Sequence, residues 1–367
     1  MSACDELVRT GRLIVCVGPG GVGKTTLAAA LAVRAAVLGR RAFVLTIDPA
    51  RRLASALGID GGGATGDAAE VPLASLDARG SLTAAMLEPQ ASYDALIRRI
   101  APVDERERIL DNRVYRAFSR TLARSHAYVA MEHLYDVLEG SSPPDLVVLD
   151  TPPMRSALDV LDAPLALARF AEHRALGALT GRAAASAGAF AAGKLVGLLA
   201  GQEVGAELAT FLRAFLGMRA GFAKRARAID RVLREEARFV LVMAPDATHV
   251  ADAEHLATGL RERGVTIEAT LANRAFTEDP RAPLRRMPSM TSSGDEIAAR
   301  LGITTASERG LLDRALDRAR ALSLRDAARI QQAAPFPGTR IAFPRAHVEP
   351  MDVTQLHALA LSGIVAS

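Results

Sequence analysis

The sequence predicts an α/β protein: a doubly wound, mostly parallel sheet with an inserted all-helical subdomain. Three observations predict it. The chain opens as strand, glycine-rich loop, helix, strand, which is how a parallel α/β sheet begins. Short β-rich runs return at Asp145–Asp150, Arg238–Ala244 and Val265–Ala272. Between them lie two long stretches, about Ser81–Glu139 and Ser156–Glu236, with apolar residues at three- and four-residue spacing, the period of amphipathic helices.

The elements follow in order. Arg12–Val17 reads as a buried strand, and an Ala/Leu-rich helix runs from Lys24 to about Leu38. Arg41–Ile47 is the second strand; Gly61, Gly62 and Gly63 mark a loop, and Val71–Asp77 is a further strand candidate. Ser141, Ser142, Pro143 and Pro144 close the first helical block. Beyond the second block, helices are expected at about 248–263 and 306–332, a strand at Ile341–Phe343, and a last helix near 352–364. Neither helical block carries a strand of its own on this reading. The sheet domain therefore takes residues 1–80, 141–160 and 237–367, and the helical subdomain residues 81–140 and 161–236.

Composition narrows the function classes. Half of the 367 residues are hydrophobic, so a sizeable core is available. Aromatics are 4% and Trp is absent, leaving Ala and Leu to supply the apolar surface, which favours helix packing. The net charge is +4 with basic residues scattered, which reads as a solvated surface and against a nucleic-acid stripe. Two cysteines, Cys4 and Cys16, make neither a disulfide framework nor a zinc site. The N-terminus lacks an apolar signal segment, so a cytoplasmic protein is expected. Ala183–Ala200 is the most membrane-like stretch, but Lys194 interrupts it and Ala and Gly dominate it, so no stable membrane insertion is expected. Only three residues are lysine, Lys24, Lys194 and Lys224, against 45 basic residues in all. A lysine where chemistry wants one stands out in such a chain.

Lys24 is such a lysine. Gly18-Pro19-Gly20-Gly21-Val22-Gly23-Lys24-Thr25-Thr26 fits the Gly-x-x-x-x-Gly-Lys-Thr pattern, between a strand and a helix as that pattern requires. Glycines let backbone N–H groups turn inward as an anion nest, and the helix N-terminus adds its positive dipole end. Gly20, Gly21, Val22, Gly23, Lys24, Thr25 and Thr26 are the expected nucleotide-binding residues, for ATP with Mg²⁺. Lys24 would reach the outer phosphates, the Thr25 hydroxyl would ligate Mg²⁺, and Thr26 could bond the α-phosphate. Asp150 ends an apolar strand and precedes Thr151-Pro152-Pro153. An acid in that position holds the Mg²⁺ shell through water. Asp48 ends the second strand before Pro49-Ala50; it could point at the water that attacks the γ-phosphorus, or simply cap the next helix.

These three motifs together, in this order and at these distances, resemble the arsenite-pump ATPase family, which includes the ATPase of guided entry of tail-anchored proteins. Looser likenesses are Pro245-Asp246-Ala247-Thr248 before a helix, Asn273-Arg274 after a strand, and the Phe343-Pro344 region. The resemblance implies that Asp48 is catalytic and orients water, that Lys24 holds the β- and γ-phosphates, and that Asp150 organises Mg²⁺. It implies that Asn273 reads adenine and that the loop at Pro344 closes over the base. It also implies a cytosolic protein that dimerises face to face across nucleotide, with a helical subdomain that in some members shields the transmembrane segments of clients. Here the insert carries a long apolar surface between Leu195 and Met218, which ordinary core packing also explains.

Departures from the pattern set limits. Pro19 stands where the family has its signature lysine, which reaches the partner's phosphates. Arg51 and Arg52 are the cations nearest Asp48 in sequence that could replace it. The zinc-binding Cys-x-x-Cys of eukaryotic targeting members, the cysteines that bind arsenite and the tandem duplication are all missing. The sequence looks like a bacterial branch. The leading reading is an ATPase that works as a nucleotide-switched dimer on a membrane-protein or other hydrophobic client. The alternative is a nucleotide-binding subunit of low activity, paired in a heterodimer with a paralogue that keeps the signature lysine. A partition-type ATPase fits less well, because such chains are shorter and lack large helical inserts.

Overall fold

A computed structural model describes residues 2–47, 52–59, 68–87, 101–113, 126–152, 155–172, 202–276, 294–332, 338–345 and 350–365, with a few further positions between 94 and 116. Among them lies one nine-stranded sheet. In chain order its strands are β1 (Leu13–Val17), β2 (Arg41–Thr46), β3 (Ala69–Glu70), β4 (Ser81–Met86), β5 (Leu146–Asp150), β6 (Ala237–Met243), β7 (Ile267–Ala275), β8 (Thr339–Pro344) and β9 (Ile364–Val365). Their spatial order is β3-β4-β2-β5-β1-β6-β7-β8-β9. Only the outermost pairs, β3 with β4 and β8 with β9, are antiparallel. The doubly wound α/β architecture expected from the sequence is the one observed.

The central strands are buried on both faces, so they read as continuous apolar runs. Their side chains alternate between two cores. Ile14, Cys16, Val44, Val148, Val240 and Val242 face one core, shared with helix α1 (Asp5–Thr10), helix α2 (Lys24–Val37) and helix α3 (Arg52–Leu57). In α2, alanines 28, 29, 30, 32, 35 and 36 are all buried. Their small side chains bring this helix close against the middle of the sheet. Leu13, Val15, Leu45, Val147, Leu149 and Leu241 face the opposite core.

That second core is covered by the helical insertions. Between them come the short helix α4 (Arg106–Leu110), then α5 (His126–Glu139), α6 (Arg155–Glu172) and α7 (Gln202–Glu235). Arg225 of α7 ties this layer together. Its guanidinium lies 2.5 Å from Glu132 and 2.6 Å from Asp136 on α5, and stacks 4.3 Å from the Tyr135 ring centroid. A planar fork that stays charged is suited to such a double carboxylate contact. Helix α8 (Ala247–Glu262) joins the same face. Then come α9 (Gly294–Leu301), the long α10 (Ala306–Gln332) and α11 (Val353–Ser362), the last of which packs on α2. No helix of the described residues is long and apolar enough to cross a membrane.

One expected boundary moves. Ser81–Met86, placed by its period at the start of the helical block, is strand β4, while Val71–Asp77 forms turns. Leu, Ala and Met are helix formers, but this segment pairs with β2 along six consecutive positions, from Arg41↔Ser81 to Thr46↔Met86. Tertiary pairing overrides local propensity here. The sheet domain therefore reaches Leu87, whose N–H bonds the Thr46 carbonyl. Ala183–Ala200 and most of the apolar stretch from Leu195 to Met218 lie outside the described residues or side chains.

Candidate functional site

β1 lies between β5 and β6, so the chain turns opposite ways on either side of it. In an open α/β sheet that switch point, at the carboxyl ends of the strands, is where ligands bind. The glycine loop leaves β1 there and enters α2. Gly18 must be glycine because a Cβ would stand 2.1 Å from the Val242 carbonyl oxygen on β6. Gly23 takes the left-handed conformation (φ 91°) as it caps α2, a region favourable to glycine alone among ordinary residues. Gly20 and Gly21 are exposed, Val22 is buried, and Thr25 and Thr26 are half-buried in the first turn.

Lys24 is buried at 7% exposure. Its ammonium donates to the carbonyls of Gly18 (3.0 Å) and Pro19 (2.7 Å), folding back over the loop. Pro19 is itself buried. Beside Lys24 lies Asp150, the last residue of β5, fully buried. Its Oδ2 accepts from the Thr25 hydroxyl at 2.7 Å and from the Thr46 hydroxyl at 2.8 Å. Sheet register creates this cluster: Asp150 lies level with Cys16 on β1 and with Thr46 on β2. Thr151 closes the floor, donating its hydroxyl to the Cys16 carbonyl at 2.7 Å. Burial pushes the Cys16 thiol far above its ordinary range, and the nearby Asp150 carboxylate adds to the shift, so Cys16 is an inert core residue.

Thr25, Thr46 and Asp150 present hydroxyl and carboxylate oxygens at the N-terminus of α2. Hard oxygen donors of this kind suit Mg²⁺. The Asp150–Thr25 contact is the arrangement expected of an acid that would bind the ion's water shell next to a hydroxyl that binds the ion. Thr46 belongs to none of the sequence motifs above. The available signal was a hydroxyl at the end of an otherwise apolar strand, Ala42-Phe43-Val44-Leu45-Thr46, two residues before Asp48. Asp48, Pro49, Ala50 and Arg51 lie outside the described residues.

Asn273 is brought to the loop from β7. It is 7% exposed, and its side-chain amide donates to the Val22 carbonyl at 2.8 Å. Pro344 ends β8 level with Ala275 of β7, one strand further out. Asp246 follows β6 and caps α8, accepting from the His249 N–H at 3.1 Å. Burial works against its charge, but the hydrogen bonds from His249 outweigh it and hold the carboxyl below its ordinary value. The glycine loop, Lys24, Asp150 and Asn273 thus meet at one place, and Pro245 and Pro344 stand on the β6–β8 side.

This is the fold and loop of a phosphate-binding α/β protein. Comparison with known families gives the particular class: the family model of the anion-transporting ATPases matches residues 11–292. The chain belongs to that family. It is also similar to an arsenical pump-driving ATPase from Acidiphilium multivorum, 48% identical over 54 residues. That match spans 14% of this chain and 9% of the relative's length.

Proposed function

We propose that this protein binds Mg²⁺·ATP in the loop Gly18–Thr26 and hydrolyses it. One observation carries the reading: a buried lysine, a buried strand-end carboxylate and a helix-start hydroxyl converge at the mouth of a glycine loop. Polyphosphate would take the place of the Gly18 and Pro19 carbonyls as partner of the Lys24 ammonium. Thr25 would hold Mg²⁺ directly and Asp150 through water. The cation neutralises phosphate charge when bound. Backbone N–H groups of Gly20–Thr26 and the α2 dipole add to that electrostatic support. Asp48, two residues beyond Thr46 in the sequence, would orient the attacking water; Thr46 itself is level with Asp150 in the sheet.

By family likeness, the nucleotide would switch a cytoplasmic dimer between open and closed forms, and the helical layer on α5–α7 would handle a hydrophobic client, with a membrane-protein segment as the leading candidate. The absence of the arsenite-binding cysteines argues against arsenite as ligand. Pro19 favours a second reading, a subunit with little activity of its own that pairs with a lysine-bearing paralogue. A buried proline supplies no charge to a partner's phosphates.

Titration calorimetry with Mg²⁺·ATP tests the core of the proposal. Wild type should bind with micromolar affinity, and Lys24→Ala should lose at least about a hundredfold, as expected when a buried charge-assisted phosphate contact is removed. Equal affinities in the two proteins would remove Lys24 from the site and the proposal with it.

A further inference from the structure

We infer that Asn273 is a positioning residue of the phosphate loop: it sets the direction of the Val22–Gly23 peptide and so aims the Gly23 N–H into the anion nest. The inference rests on the nucleotide-binding reading above but assigns Asn273 a task that no base is needed to perform. In a planar trans peptide the C=O and the following N–H point in opposite directions. The Asn273 amide holds the Val22 carbonyl at 2.8 Å on the sheet side of the loop. Gly23 N–H is therefore turned away from the sheet, toward the concave side where phosphate would lie.

The strut is itself held from both ends. The Asn273 Oδ1 accepts from the Arg274 N–H at 3.0 Å, which fixes the flip of the amide and leaves its NH₂ facing Val22. Arg274 adopts φ 60°, uncommon for a residue with a Cβ. The register between β7 and β8 shifts at this place, between Ala272 and Ala275. Bulges of this kind re-aim side chains next to sites. Beyond the bulge, the Phe276 N–H donates to Asp326 of α10 at 3.0 Å, and Asp326 is 1% exposed. Ile330 of the same helix packs with Ala272, Ala275 and Ala342. The bulge is thus pinned by α10 behind and spends its geometry on the loop in front. The approach is close: a Cβ on Gly23 would stand 2.3 Å from the Asn273 amide nitrogen and displace the strut, while the φ of 91° independently favours glycine there.

A residue that only reads adenine and a residue that shapes the loop make different demands. We would measure affinities of wild type and Asn273→Ala for three ligands, Mg²⁺·ATP, Mg²⁺·GTP and Mg²⁺·tripolyphosphate, the last having no base. In parallel, hydrogen exchange at Gly23 and Lys24 would be followed in the ligand-free proteins. A positioning residue requires all three affinities to fall by a common factor of about tenfold, the scale of one buried hydrogen bond. It also requires faster exchange in the loop at unchanged exchange in β1. Loss of ATP affinity with tripolyphosphate unaffected, or loop exchange equal to wild type, would overturn the inference. If wild type binds none of the three ligands, the nucleotide-binding reading fails, and the exchange measurement still decides the role of Asn273. Should Asn273→Ala fail to fold, Asn273→Leu keeps the branched shape of the side chain, at somewhat larger volume, while removing the donor.

Discussion

Removing the Thr46 hydroxyl is the sharpest probe of the buried carboxylate. Thr46→Val keeps the shape of the side chain and deletes a hydroxyl donor to Asp150 Oδ2, the one at 2.8 Å. Thr46 is 1% exposed and Asp150 fully buried, so water cannot readily fill the gap. Hydrogen bonds to charged groups are worth roughly 1.5–3 kcal/mol. Stranding a buried charge with no partner at all costs about 3–5 kcal/mol. Thr25 still donates at 2.7 Å after the substitution, so the lower range applies, and we expect about 2 kcal/mol lost from folding stability. Urea unfolding in metal-free buffer measures it. Repeating the substitution in an Asp150→Asn background completes a double-mutant cycle. There the acceptor is neutral, and the cost should shrink by about 1 kcal/mol. A coupling below about 0.5 kcal/mol would mean that Thr46 contributes packing alone, and that its place beside Asp150 has no electrostatic consequence.

Three further outcomes are expected. Asp48→Asn should abolish ATP hydrolysis while leaving ATP binding largely intact; turnover at the wild-type rate would reduce Asp48 to a helix cap. Pro19→Lys should raise the ATPase activity of the isolated protein, since a missing trans cation can cost on the order of 10³-fold or more in rate; brisk wild-type turnover unchanged by the substitution would shift attention to Arg51 and Arg52. Acid should erase the contribution of the buried pair between Asp5 and Arg34, 2.8 Å apart. Burial opposes the Asp5 charge, but the hydrogen bonds from Arg34 and from the Ser2 N–H prevail and place its folded pKa below the ordinary 3.8. A depressed carboxyl stabilises the fold above its unfolded pKa and stops doing so as pH falls through the folded one. Asp5→Asn should therefore be less stable than wild type at pH 5–8 by a nearly constant margin, and the two unfolding curves should converge well below pH 3.8; a margin unchanged at low pH would contradict the assignment.

Much of this molecule is legible in one dimension because its signals are local. A glycine loop between an apolar strand and an alanine-rich helix needs only contiguous residues to be recognised, and Gly18–Thr26 sits where it was expected. Strands buried on both faces betray themselves as apolar runs, so β1, β2, β5 and β6 are visible in the sequence, and β7 is partly so although Glu268, Thr270, Asn273 and Arg274 interrupt it, as are the helices at Ala247–Glu262 and Ala306–Gln332. Lys24, Thr25 and Asp150 could be named from motif and strand end. β4 could not, because Ser81–Met86 has the composition of a helix and becomes a strand only through its pairing with β2.

By itself, then, the sequence determined the fold class, the glycine loop and the acid at the strand end beside it, since each depends on neighbours along the chain. Tertiary structure alone decided the rest of the site. Thr46 and Asp150 are 104 residues apart and meet because parallel register sets them level. Asn273 and Val22 are 251 residues apart and meet because a bulge in β7 turns one side chain under the loop. Register and bulge are properties of the assembled sheet, fixed by hydrogen bonds between distant segments, and no local pattern encodes them.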